Sequence, residues 1–341
     1  GNLYVMTMLA SNEWGKLKKV IVGVADHAVM PPVEKDTRTI NYAGVKAKKK
    51  LFGYGKEEYL PIKVGAFPEQ VIEEANEDLE IFVKFLEGEG VEVLRPKREP
   101  TTYYNFCPRD CVFVHRNLSL ATPMPLRSRR GNWRAMQDCL PETVEIPCSY
   151  SEELYNDGCI GNTDILALNE FTPAFDAANI LRADNNIIYL VSNSGNVLGS
   201  ELLQNQLDEA GCDAEVHLLK DVYSYSHIDT TLVFLREGLI LANPSRLKDK
   251  DQLPGPFKKW DVIYAPEAVD IGSYEGYNNM SVWVNMNMFS ISPNLVALEE
   301  NQEPTRKLLE SHAIECAMLP MRQQRTLSGG FHCVTLDLER E

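Results

Sequence analysis

A thiol, an imidazole and several carboxylates stand in separate stretches of this chain. Cys333 closes the run Thr326-Leu-Ser-Gly-Gly-Phe-His-Cys333, and an alternating strand pattern, Val334-Thr-Leu-Asp-Leu338, follows directly. His227 and Asp229 share Ser226-His-Ile-Asp-Thr230, and Asp176 lies in Phe175-Asp-Ala-Ala-Asn179. A Cys, a His and an Asp far apart in sequence are how nucleophilic triads appear in a linear chain. Gly329 and Gly330 allow a bend that delivers the thiol beside a strand. A free Cys is more often a small core residue, so the other two stretches carry much of the weight.

Each acid suggests a different task. Asp110 ends Cys107-Pro-Arg-Asp110 just before a strand, where ligands of α/β folds gather. Asp229 follows His227 by two, so an extended segment would turn both side chains to one face. Two opposed carboxylates can grip a planar cation, and guanidinium fits them with five N–H donors in a fixed fork. Asp176, among apolar neighbours, suits the orientation of a histidine ring. His332 is a rival base; neighbours on a strand point to opposite faces, which turns it away from the thiol's substrate and favours His227. Arg246, in Asn243-Pro-Ser-Arg246, could hold a carboxylate bidentately or be a surface charge. Ser281, in Asn278-Asn-Met-Ser281, offers a hydroxyl or backbone donors.

The elements needed to position these residues repeat. Leu17–Gly23 reads as a strand, residues 68–86 as a helix of 3.6-residue period, and Val91–Leu94 as a strand. A hairpin at 111–120, a helix from about Arg127 to Cys139 and a strand at 143–146 follow. Strands at 187–191 and 214–219 flank a helix over 199–210. Next come strands at 231–235, 239–241 and 261–264, then strands at 281–284 and 295–298, a helix near 304–311 and a strand at 314–318. The unit strand–strand–helix–strand occurs about five times, as a closed, radially arranged α/β fold would give. A doubly wound open sheet is the alternative, and hairpins fit it poorly. Residues 30–65 lack a period and read as a surface excursion: a lid, an acceptor-binding loop or an elaborated connection. Residues 1–11 read as a tail or an expression remnant, and residues 12–341 as one domain.

Composition narrows the class. With 341 residues, 44% hydrophobic and 24% charged, the chain can bury a large core. A net charge of −15 argues against a nucleic-acid footprint, which needs a basic face. No apolar run approaches the ~20 residues of a membrane span. Eight scattered cysteines read as reduced thiols in a cytoplasm. Cys107-x-x-x-Cys111 lacks a second pair, so no metal site is expected.

Several motifs together resemble the L-arginine amidinotransferases, the group of the glycine and inosamine-phosphate enzymes: Cys107-Pro-Arg-Asp110, Phe175-Asp-Ala-Ala-Asn179, His227-Ile-Asp229, Asn243-Pro-Ser-Arg246, Ser281-Val-Trp-Val-Asn-Met-Asn287 and Gly329-Gly-Phe-His-Cys-Val-Thr-Leu-Asp337. The resemblance runs from Asn12-Glu-Trp14 onward. Met124-Pro-Leu-Arg-Ser-Arg129 and Ile188–Asn196 look closer to the inosamine-phosphate type. The resemblance implies a five-bladed α/β propeller of pseudo-fivefold ββαβ modules, the fold of the guanidino-group modifying superfamily. It implies Cys333 as nucleophile, His227 as general acid/base, Asp176 as its partner, Asp110 and Asp229 on the donor guanidinium, and Arg246 and Ser281 on the donor α-carboxylate. It further implies ping-pong transfer from arginine to an amine through an amidino-cysteine, with no cofactor or metal, and a homodimer. Ser224 and Ser226 stand where the glycine enzymes carry Asn and Met, which points to a roomier acceptor pocket. Ser328 replaces a usual third glycine. An arginine-deiminase-like hydrolase and a non-catalytic binding propeller are the rival readings.

Overall fold

The computed structural model describes residues 9–41, 63–100, 103–160, 162, 164–277 and 279–341. Five three-stranded sheets share one connectivity. The first joins β1 (Leu17–Val22) to a strand far along the chain. A small pair, β2 (Val29–Met30) with β3 (Gly65–Ala66), closes the base of the 30–65 excursion. Within that excursion Lys35–Asn41 forms a short helix, α1. The lid or acceptor loop expected there falls mainly on residues 42–62, outside the described residues.

Pro68 precedes α2 (Glu69–Gly88), whose Val71, Ala75, Leu79, Phe82, Val83 and Leu86 bury one face. That helix crosses over to β4 (Glu92–Leu94), which pairs parallel with β1. Four further modules repeat the arrangement, an antiparallel hairpin and then a parallel third strand: β5 (Val112–His115), β6 (Leu118–Ala121) and β7 (Val144–Glu145); β8 (Ile180–Ala183), β9 (Asn186–Leu190) and β10 (Glu215–Leu219). Then come β11 (Leu232–Arg236), β12 (Leu239–Ala242) and β13 (Asp261–Tyr264); β14 (Phe289–Ser292), β15 (Leu295–Glu299) and β16 (Glu315–Leu319). The last strand, β17 (Thr335–Arg340), pairs antiparallel with β1 and so completes the first module from the other end of the chain. Residues 9–11, within the stretch read as a tail, also pair: Leu9 bridges Glu339, and Ala10 N–H donates to Leu338 O.

Two crossovers are α-helical, α3 (Val197–Glu209) and α4 (Glu303–Ser311), like α2. The helix expected over Arg127–Cys139 is instead two 3₁₀ segments, Arg127–Arg129 and Asn132–Cys139. Gly131 separates them at φ +79, outside the right-handed helical region. The strand expected at 281–284 is also a 3₁₀ turn, Val282–Met286, because Ser281 Oγ accepts from Trp283 N–H and caps it. The module's first strand begins later, at Phe289.

Apolar layers between neighbouring modules form the core. Ile188, Leu190, Phe234, Ile240 and Phe257 fill one such layer, and Val233, Leu241, Val296 and Leu298 the next. Among the described residues no helix is long and apolar enough to cross a membrane.

Candidate active site

Each hairpin is entered through a tight turn. Pro108–Asp110 leads into β5, Ala177–Asn179 into β8, Ile228–Thr230 into β11 and Val282–Met286 into β14. These turns touch in succession, the last against α5 (Gln324–Leu327) and the first against β17, so they form a closed ring. Five three-stranded sheets in this succession agree with the radial arrangement expected of an α/β propeller. Asp110 lies in the first turn, Asp176 immediately precedes the second, and His227 immediately precedes the third, which contains Asp229. Ser281 caps the fourth, and Cys333 precedes β17. The fold therefore gathers residues separated by more than two hundred positions at one end of five strands.

His227 sits between two carboxylates. Its Nε2 faces Asp176 Oδ2 at 2.7 Å, and its Nδ1 lies 3.7 Å from Asp110 Oδ1. Burial works against the charged ring, but Asp110, the Asp176 hydrogen bond and the more distant Asp229 prevail, raising its pKa to about 9. The ring is thus an imidazolium at neutral pH, with Nε2–H given to Asp176 and Nδ1–H on the side of Asp110. Asp110 is in turn held by Arg129, whose guanidinium donates to Oδ2 at 3.0 Å. Burial pushes the Asp110 carboxyl up, against His227 and Arg129.

Around the thiol the donors and acceptors are equally specific. Cys333 N–H donates to Asn287 Oδ1 at 2.9 Å, and Sγ donates to Asp229 Oδ2 at 3.4 Å. A Cβ added at Gly329 would stand 2.6 Å from Cys107 Sγ and 3.1 Å from Cys333 Cβ, so a second thiol flanks the first. Gly330 lies against Asn287, where a Cβ would meet its Cβ at 2.8 Å and its carbonyl oxygen at 2.9 Å. Both glycines are thus needed for close approach. The positive φ of this bend belongs to Ser328, at +67°, where glycine would be less strained. The Cys107 hydrogen bond, burial and Asp229 hold the Cys333 thiol well above its usual pKa.

Among the described residues four buried carboxylate oxygens have no hydrogen-bond partner; Asp337 Oδ1 is ion-paired with Arg109, and the other three, Asp110 Oδ1, Asp176 Oδ1 and Asp229 Oδ1, belong to this cluster. Buried acceptors left open carry a desolvation penalty that a ligand's donors would remove. One ligand class suits them: a compact cation with several N–H groups in one plane. Arg246 sits beside this cluster. Its NH1 donates to Thr230 O, Thr230 Oγ1 and Thr231 Oγ1 at 2.7–2.9 Å, and its guanidinium stacks 3.6 Å over Tyr223. It is a fixed, buried fork near Asp229.

Cys333, His227, Asp176, Asp110 and Asp229 are brought together, and Arg246 and the Ser281 turn pack on the His227–Thr230 segment. Two readings of local geometry do not hold. His227 and Asp229 share a 3₁₀ turn rather than one face of a strand. His332 does not face away from the thiol's surroundings: its Nδ1 bonds Asp229 Oδ2 at 2.8 Å, the same oxygen that Cys333 Sγ faces, because residues 331–334 form a turn ahead of the strand. Residues not singled out at the sequence level also shape the site: Glu13, Arg129, Asn287 and Tyr223. The first three lie in the stretches Asn12-Glu-Trp14, Met124–Arg129 and Ser281–Asn287, so a signal was present without a role attached.

No family model matches the chain. Inosamine-phosphate amidinotransferase 1 of Streptomyces griseus is 35% identical over 96% of this chain and 96% of its own length. The L-arginine:L-lysine amidinotransferase of Pseudomonas savastanoi pv. phaseolicola is 31% identical over 96% and 93%. Among solved structures, the inosamine-phosphate amidinotransferase of Streptomyces griseus superposes with a TM-score of 0.87, at 33% identity over 98% of this chain and 97% of that one. A dimethylarginine dimethylaminohydrolase shares the fold alone, with a TM-score of 0.59 at 15% identity over 94% and 100%. With that identity sustained over nearly the full length of both partners, the chain belongs to the amidinotransferase family of enzymes.

Proposed function

We propose that this enzyme takes the amidino group of L-arginine onto Cys333 and passes it to an amine larger than glycine. The observation that carries this reading is the trio of unpartnered carboxylate oxygens on Asp110, Asp176 and Asp229, set around a thiol and an imidazolium. Donor guanidinium N–H groups satisfy those oxygens, and the Arg246 fork and the Ser281 turn receive the donor's α-carboxylate. The Cys333 thiolate attacks the guanidinium carbon. His227, held by Asp176 through Nε2, protonates the leaving nitrogen from Nδ1 and frees ornithine. The neutral ring then accepts a proton from the incoming amine, which displaces the thiolate from the amidino-cysteine.

The acceptor class rests on space and polarity. An open cleft of about 710 Å³ runs beside Tyr223 and Ser224, on the segment that leads to His227, with Lys220, Asp221 and Asp164 also lining it. The cleft borders the approach to His227 rather than Cys333 itself, and its volume far exceeds what glycine fills. Hydroxyl-lined, charge-bearing walls suit a polyhydroxylated or charged amine.

Rapid mixing with arginine alone tests the donor half: one equivalent of ornithine per site should appear, followed by near arrest. Sustained citrulline formation would instead identify a hydrolase. Arginine with a panel of amines, products identified by mass, tests the acceptor half; glycine as the best acceptor would overturn it.

A further inference from the structure

His332 has no task in the mechanism above, yet it is buried between two carboxylates. Its Nδ1 faces Asp229 Oδ2 at 2.8 Å and its Nε2 faces Glu13 Oε1 at 3.0 Å. A neutral imidazole could donate to only one of them and would turn a lone pair toward the other. Only a ring with a proton on each nitrogen donates to both. Its main chain is pinned as well: the carbonyl accepts from Thr335 Oγ1 at 2.8 Å and from Arg109 Nε at 3.3 Å.

Glu13 is itself fixed. Its Oε2 accepts from Arg182 Nε at 2.6 Å, and Arg182 NH2 reaches Asp337 Oδ2 at 2.6 Å. Arg109 and Arg340 close on the same Asp337 carboxylate at 2.8 and 2.5 Å. A buried lattice of alternating charge therefore anchors the ring from behind, drawing on both ends of the chain. On the other side, Asp229 Oδ2 serves two donors, the His332 ring and the Cys333 thiol, while Oδ1 stays open. The groups facing the thiol are Cys107, Asp229 and Asp110.

We propose that His332 is a positioning residue of amidino transfer, acting through Asp229. Clamped by Glu13, it fixes that carboxylate with Oδ1 presented to the donor guanidinium. An Nδ1–H on Oδ2 also draws on that oxygen's lone pairs, so it holds the thiol hydrogen less firmly and repels the thiolate less. The proposal rests on the reading of Asp229 as a guanidinium ligand and Cys333 as nucleophile.

Two isosteric variants separate this role from mere packing. His332→Asn puts an amide N–H near the place of Nδ1 and keeps the bond to Asp229. His332→Gln puts one near the place of Nε2 and keeps only the bond to Glu13. A hydrogen bond to a charged group implies a KM for arginine raised roughly ten- to a hundredfold in His332→Gln. In His332→Asn it should stay within about threefold. Loss of the donor to Asp229 Oδ2 should raise the pH midpoint of Cys333 alkylation by iodoacetamide by about one unit in His332→Gln. The midpoint should rise less in His332→Asn. Equal KM values in the two variants, or an unmoved midpoint in both, would overturn the proposal. If His332→Gln fails to fold, Glu13→Gln decides it: with the ring's clamp weakened, KM for arginine should rise at least about threefold, and an unchanged KM sinks the idea. The ornithine burst of the unaltered enzyme stands apart. Its absence would overturn the amidino-transfer reading, and the alkylation midpoints would still report whether His332 acts on Cys333.

Discussion

Asp176→Asn keeps the shape of the group beside His227 and removes its charge. In the native site Nε2 donates to Asp176 Oδ2 at 2.7 Å, and Asp110 lies 3.7 Å from Nδ1. Burial alone would favour the neutral ring; these carboxylates reverse that and raise the pKa from 6.5 to about 9. A hydrogen bond to a charged partner contributes roughly 1.5–3 kcal/mol, which corresponds to about one to two pKa units. The variant's midpoint should therefore fall to roughly 7–8. Carbon-13 labelled histidine titrated by NMR reads this directly, with His227→Gln assigning the resonance. Stability follows with a defined sign. A ring whose folded pKa is raised contributes stability in full below its ordinary 6.5, and that contribution is lost as pH rises through about 9. The variant should lose its smaller share over a narrower window. A native midpoint near 6.5, or one that Asp176→Asn leaves in place, would refute the argument that His227 waits as an acid.

Three other perturbations bear on the same centre. Cys333→Ala should abolish the ornithine burst while lowering the melting temperature by no more than about 4 °C, since one buried sulfur is lost; a residual burst would remove Cys333 from the chemistry. Asp229→Asn should raise KM for arginine roughly ten- to a hundredfold, because it weakens a charge-assisted contact; unchanged steady-state kinetics would take Asp229 out of the donor site. Gly330→Ala drives a methyl into Asn287, including its carbonyl oxygen at 2.9 Å, and should cost about 1–3 kcal/mol by denaturant unfolding with a larger loss of turnover. Native stability and turnover in that variant would show that the bend has slack.

Periodicity exposed the modules, because sheet strands and the crossover α2 bury their apolar residues at regular intervals. It missed the 3₁₀ turns. Val282–Met286 is as apolar and β-branched as a strand, and only the Ser281 cap distinguishes it. Those turns are where the candidate site residues stand, and the motifs that single them out say nothing of their directions. His332 shows the difference. Alternation along an assumed strand turned it away from the thiol, whereas a turn at 331–334 brings it to the oxygen the thiol also faces. Glu13 was hidden for another reason: its partners, Arg182 and His332, lie 169 and 319 residues away, and no local pattern encodes such a pairing.

Charge around Cys333 opposes the nucleophilic role proposed for it. Cys107, burial, Asp229 and Asp110 together hold the Cys333 thiol protonated, although attack needs the thiolate. The resolution lies in the same carboxylates. Their unpartnered oxygens are complementary to a cation, and a cation seated among them reverses the sign of the local field felt by the sulfur. Deprotonation then becomes coupled to donor binding, and an enzyme awaiting its substrate keeps a thiol that resists oxidation. Millimolar guanidinium ion, the donor's head group without its tail, should therefore lower the pH at which the thiolate absorbance near ~240 nm develops, with Cys333→Ala as the blank. A tenfold gain in thiolate at fixed pH corresponds to one unit of that midpoint. A midpoint that guanidinium leaves unmoved, while arginine still gives its ornithine burst, would mean that His227 alone activates the sulfur and that the carboxylates serve only to hold the donor.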